Sequence, residues 1–187
     1  MSMAASPPLS RASRQIGPLV VMGVSGCGKT SLGKLLASNL GYRFIEGDSR
    51  HPAANVEKMS AGIPLTDADR WPWLETLGAE LAADGDTVLS CSALKRSYRD
   101  LLRAKARQPV TFVFLQGTRT MLAARMSSRK GHYMPLSLLD SQLATLELPA
   151  DEGDVVTVEI DQPLERIVSV AMARIASMAA RHGNQEI

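Results

Sequence analysis

Leu19-Val20-Val21-Met22-Gly23-Val24-Ser25-Gly26-Cys27-Gly28-Lys29-Thr30 is the stretch from which the fold is read. From Gly23 onward it fits G-x-x-x-x-G-K-[S/T] at every fixed position, and it leaves directly from an apolar, strand-like run. Glycines let a backbone wrap closely enough for its N–H groups to face phosphate oxygens. A lysine supplies a cation to the β and γ oxygens, and a threonine hydroxyl can ligate Mg²⁺. The helical pattern that follows adds its positive N-terminal end. The contacts to a nucleoside triphosphate are therefore assigned to Gly23, Val24, Ser25, Gly26, Cys27, Gly28, Lys29, Thr30 and Ser31, with Mg²⁺ at Thr30.

Outward from that loop, apolar runs alternate with helical periodicity. Strands are predicted at 19–22, 42–45, 87–90, 110–115 and 155–160, and helices at 29–40, 70–83, 97–106, 119–128, 136–146 and 163–180. Such alternation predicts an α/β fold: right-handed crossovers, a five-stranded parallel sheet and helices on both faces. Ligands of such sheets sit at the carboxyl ends of the strands, which directs attention to 23–30, 46–69, 91–95, 116–117 and 161–164.

Composition bounds the rest. A chain of 187 residues has room for one α/β domain with a real core. The organisation predicted is a disordered N-terminal extension over 1–16, a phosphate-loop kinase domain over 17–180 and a flexible tail over 181–187. Twenty-one basic against 19 acidic residues is a balanced surface, which points to neither nucleic acid nor an anionic membrane as a partner. Cys27 and Cys91 alone suit reduced thiols in a cytoplasmic protein. The first fourteen residues lack the apolar core of a secretory signal.

Three further segments carry chemistry. After the second strand, Asp48 stands where a strand end aims a carboxylate at the phosphate loop, in reach of a Mg²⁺-bound water or of a hydroxyl to be phosphorylated; alternatively it caps the next turn. His51 precedes Pro52 and is held extended. Asp67 and Asp69 read as structural acids at a helix start. After the third strand, Cys91-Ser92-Ala93-Leu94-Lys95 lacks the Asp that many phosphate-loop enzymes place there for Mg²⁺. Either Thr30 holds the ion with phosphates, waters and help from Asp48, or a carboxylate comes from elsewhere; Asp161 is discounted. Between the fourth and fifth strands, 125–135 gathers Arg125, Arg129, Lys130 and His132 around Gly131, the composition of a mobile lid over a triphosphate or of a solvated helix end.

Taken together, these segments resemble the gluconokinase family of small phosphate-loop carbohydrate kinases. The resemblance rests on the loop 23–30, on Glu46-Gly47-Asp48 through His51-Pro52, and on Asn55, Lys58-Met59, Gly62 and Pro64-Leu65. It continues through Asp67-Ala68-Asp69-Arg70-Trp71-Pro72-Trp73-Leu74, residues 91–95, Tyr98-Arg99, residues 129–135 and Leu139-Asp140-Ser141-Gln142. It implies ATP- and Mg²⁺-dependent phosphorylation of D-gluconate on its 6-hydroxyl, on a fold similar to shikimate and nucleoside monophosphate kinases. By the same resemblance, Lys29, Asp48 and Arg129 are catalytic and Arg125 lies near the nucleotide. Asp48, His51, Arg70, Lys95 and His132 are the candidates for gluconate. Homodimers are implied by the resemblance alone. A GTP-hydrolysing switch is the competing class, but it usually carries an N/T-K-x-D run, which this sequence lacks.

Overall fold

The computed structural model describes residues 16–83, 85–128 and 136–183. Five strands, β1 (Leu19–Met22), β2 (Arg43–Glu46), β3 (Thr87–Ser90), β4 (Thr111–Gln116) and β5 (Val155–Glu159), form one sheet in the order β2-β3-β1-β4-β5. Every pairing is parallel. Seven helices are seen among the described residues: α1 (Lys29–Leu40), α2 (Ala53–Ser60), α3 (Asp67–Ala83), α4 (Arg96–Ala106), α5 (Arg119–Ser127), α6 (Leu136–Thr145) and α7 (Leu164–Gly183). The chain leaves central β1 toward one edge for β2 and β3, then crosses to the other side for β4 and β5. That reversal opens the crevice at the strands' carboxyl ends that such sheets use for ligands.

Strand alternation builds two cores from one sheet. Leu19 and Val21 join Leu32, Leu36, Ile167 and Ile175 on the face covered by α1 and α7. Val20 and Met22 join Trp73, Leu77, Tyr98 and Leu102 under α3 and α4. Because β1 and β3 are buried at every position, their apolar runs carry no period, as expected of central parallel strands.

The helix after β2 was not anticipated. Residues 53–60 form α2, which follows Pro52 and buries a single residue, Asn55. The next helix begins at Asp67, three residues before the predicted start. Its first turn is closed reciprocally: Asp69 N–H donates to Thr66 Oγ1 at 3.3 Å and Thr66 N–H donates to Asp69 Oδ2 at 2.8 Å. Lys58 Nζ donates to the same carboxylate at 2.6 Å, and these bonds hold Asp69 down to a pKa of about 2. Asp69 is structural, as its sequence context indicates.

A charge knot fixes the loops beside the crevice. Arg99 of α4, 0% exposed, donates from Nη1 to the carbonyls of Ala93 and Leu94 at 3.0 and 3.1 Å and from Nη2 to that of Glu147 at 3.1 Å. Its Nε meets both oxygens of Glu152, at 3.1 and 3.0 Å, and Arg103 adds bonds to Glu152 and Asp154. The segment after β3 is thereby tied to the segment before β5, with Ala93 held at a left-handed φ of 42°.

Candidate active site

The loop between β1 and α1 takes the shape its residues require. Gly28, the cap residue of α1, has φ 99° and ψ 21° with no atom near its missing Cβ, so the position demands the backbone freedom of glycine rather than space. Lys29 and Thr30 open the helix. Lys29 curls back so that Nζ donates to the Val24 carbonyl at 3.1 Å. Val24 and Cys27 are buried on the core side, leaving the loop's outer surface to a ligand. Burial pushes the Cys27 thiol up against the pull of Lys29, so it stays protonated rather than reactive. Cys91 is likewise buried and pushed up to about 12, and both thiols are free.

A carboxylate from β2 stands beside the phosphate-loop threonine. Thr30 Oγ1 donates to Glu46 Oε2 at 2.6 Å, and the Ser90 hydroxyl donates to the other oxygen of the same carboxylate. Glu46 is a site residue that sequence reading missed. Thr30 lies 16 residues from it and Ser90 lies 44, so only the β2–β3 pairing and the loop bring the three together. A hydroxyl beside one carboxylate is an all-oxygen donor set that fits Mg²⁺, which takes one or two carboxylates and fills its shell with phosphates and waters.

Gly47 lets the end of β2 lie against β3. A Cβ there would sit 2.1 Å from the Ser90 carbonyl oxygen, a backbone atom that cannot swing away. We expect Gly47→Ala to cost about 1–3 kcal/mol of stability by forcing the strand ends apart. Urea unfolding checks this, and a loss below about 0.5 kcal/mol would show that the approach is not tight.

Beyond Gly47 a short 3₁₀ turn, Gly47–Arg50, carries Asp48 into a cleft shared with Lys29, His51, Arg70 and Ser92. Asp48 does not cap the next helix, because Pro52 holds the cap position of α2 without a side-chain bond. His51 stacks on Trp73 with centroids 4.0 Å apart and planes 17° from parallel. Trp73 is held in turn by its Nε1–H bond to the Gly47 carbonyl at 2.9 Å. Arg70 is 9% exposed, and its Nε–H is buried without a hydrogen-bond partner among the described residues. The Arg70 side chain lines the cleft, and a guanidinium there is a cation that an anionic ligand can pair with.

Lys95, expected at the acceptor, is paired with Asp67. Its Nζ contacts both oxygens of Asp67 at 2.8 Å, and Tyr98 donates to the same carboxylate. Lys95 thus spends its charge on Asp67, whose pKa it and Tyr98 lower, and it is not among the residues lining the cleft.

The opposite wall comes from α6. Gln142 accepts from Ser25 N–H at 2.7 Å and donates to Ser25 Oγ at 3.0 Å, a two-point lock between α6 and the phosphate loop. A partner 117 residues away leaves no local sequence signal. A second cleft opens beside Gly26, Gly28 and Ser31, bounded by Arg125 and Gln162. There Arg125 Nη2 donates to the Ile160 carbonyl at 2.5 Å, bracing the segment after β5. Arg129 and His132, with most of the expected lid, lie outside the described residues.

Comparison with known proteins gives a consistent set. A family model described as an AAA domain matches residues 19–149. A gluconokinase of Gluconobacter oxydans is 55% identical over 144 residues, covering 75% of this chain and 80% of that protein. The crystal structure of a gluconokinase from Sinorhizobium meliloti superposes with a TM-score of 0.87 at 54% identity, covering 91% of this chain and 98% of the other. A shikimate kinase from Aquifex aeolicus shares the fold at a TM-score of 0.57 and 17% identity, covering 87% of this chain and 98% of that one.

Proposed function

The chain belongs to the gluconokinase family of phosphate-loop kinases, and from that premise we infer that it moves the γ-phosphoryl group of ATP onto the 6-hydroxyl of D-gluconate. The observation that carries the acceptor half is Arg70, which lines the cleft with Asp48 and Lys29 and whose Nε–H has no hydrogen-bond partner among the described residues. A sugar acid offers that N–H a carboxylate oxygen, and it offers His51 hydroxyl oxygens.

In the reaction, gluconate O6 forms a bond to the γ-phosphorus as the bond from that phosphorus to the β–γ bridging oxygen breaks, releasing ADP. Asp48 takes the proton from O6. Lys29 and the loop's N–H groups meet the charge on the phosphate oxygens, so catalysis is mainly alignment and charge stabilisation. Bound Mg²⁺ would add positive charge at the β and γ oxygens, and Thr30 with Glu46 are the residues that fit it. Arg125 and Gln162 bound the place for the base end of the nucleotide. The roles given to Arg129 on the transferring phosphoryl and to His132 at the acceptor rest on the sequence resemblance, as does the homodimer; the cytoplasmic setting rests on the two reduced-thiol cysteines. Among the described residues, no helix is long and apolar enough to cross a membrane.

Product analysis tests the assignment. With ATP and gluconate, phosphorus NMR should show a new phosphomonoester on the terminal carbon and a stoichiometric amount of ADP. ATP turnover indifferent to gluconate, or raised instead by shikimate or a nucleoside monophosphate, would overturn the substrate.

Asp48→Asn keeps the side chain's shape but cannot accept a proton. Turnover should fall about a hundredfold, with ATP binding unchanged by calorimetry. Near-normal turnover would remove Asp48 from the chemistry.

A further inference from the structure

We propose that Asn55 is a positioning residue acting through His51: it locks the imidazole in the tautomer protonated on Nε2, so that the ring offers the acceptor a hydrogen-bond donor and no base. Asn55, 3% exposed on α2, donates from Nδ2 to the Asp69 carbonyl at 2.8 Å. A carbonyl oxygen can face only the N–H end of an amide, so this bond settles which end of the Asn55 side chain is nitrogen. The same nitrogen lies 3.3 Å from His51 Nδ1, toward which it can direct its other N–H. Facing a donor, Nδ1 must accept, and the single proton of the neutral ring then belongs to Nε2.

The surroundings hold the ring in that state. Trp73 of α3 covers one face of the ring. The charged groups facing it are Asp48 from the 3₁₀ turn and Arg70 from α3. Burial lowers the His51 pKa below the ordinary histidine value; Asp48 pulls the other way and Arg70 adds to burial. A second proton on Nδ1 would also set two donors against each other at Asn55. Nε2 is therefore the nitrogen left for the cleft that His51 lines, and it carries hydrogen. That makes Asp48 the sole side chain lining the cleft, among those described, that can take a proton from the acceptor hydroxyl.

The tautomer is independent of the substrate; only the kinetic consequence rests on the gluconate reading of the cleft. Long-range proton–nitrogen NMR on the ligand-free, nitrogen-15-labelled chain, with His51 assigned by its loss in His51→Gln, should show Nδ1 unprotonated and Nε2 protonated. The pattern should persist below the pH at which an ordinary histidine charges. A protonated Nδ1, or two exchanging tautomers, overturns the lock without any variant of Asn55. In Asn55→Asp a carboxylate that only accepts replaces the donor. The tautomer should switch to Nδ1–H, and KM for gluconate should rise roughly tenfold while KM for ATP holds. A switched tautomer with an unmoved gluconate KM would overturn the positioning role. Failure of the wild-type chain to phosphorylate gluconate would overturn instead the substrate assignment, leaving the NMR result standing.

Discussion

Lys29→Ala should lower turnover by about a hundred- to a thousandfold while the protein stays folded, the effect of removing one preorganised charge from a developing transition state. The two halves of that expectation have separate grounds. Structurally, the Lys29 side chain contributes one hydrogen bond, to the Val24 carbonyl, in a partly buried setting. The loop is shaped by its glycines and by the packing of Val24 and Cys27, none of which the substitution touches. Chemically, Lys29 is the first residue of α1, where its charge and the helix N-terminus would act together on the phosphate oxygens of a bound nucleotide. Initial rates at saturating ATP and gluconate, beside a thermal melt, separate the two. A variant that keeps more than about a tenth of wild-type turnover would remove Lys29 from its role.

Gluconate should exceed glucose by at least about a thousandfold in kcat/KM. A site built to answer polar groups rejects an analogue that leaves those groups buried and unmatched. Arg70 is the residue on which this turns, because it lines the cleft and its Nε–H is buried without a hydrogen-bond partner among the described residues. Glucose has no carboxylate. Arg70→Ala should accordingly raise KM for gluconate about ten- to a hundredfold and leave KM for ATP near its wild-type value. Lys95→Ala should do less, since Lys95 is already neutralised by Asp67. Coupled ADP-release assays on both sugars measure the ratio, and comparable efficiencies would sink the acceptor assignment while leaving the kinase intact.

Much of the fold was legible because buried parallel strands and a phosphate loop write themselves locally. Strands β1 and β3 fall on the predicted residues, while β2 at the sheet's edge and β4 inside it are each shifted by one. Helix α2 escaped notice for a physical reason. The residue it buries is Asn55, so its inward face carries no apolar period, and the buried amide is there for His51 and Asp69 rather than for the core. The site divides in the same way. Ser25, Lys29, Asp48, His51 and Arg70 line one cleft, and each follows a strand end or lies in the first turn of a helix. Glu46 against Thr30, Lys95 against Asp67 and Gln142 against Ser25 are pairings between distant segments that no spacing in the chain announces.

The knot of Arg99 and Arg103 with Glu152 and Asp154 gives the crevice a particular dependence on heat. Ionic groups lose part of their hydration advantage as water warms, so the cost of keeping Arg99 and Glu152 out of solvent shrinks with rising temperature, while apolar burial gains little more. The loops after β3 and before β5 are thus cross-braced by the contribution that weakens least on warming. The crevice floor should then be among the last parts of the sheet's ligand edge to loosen as the protein approaches its melting point.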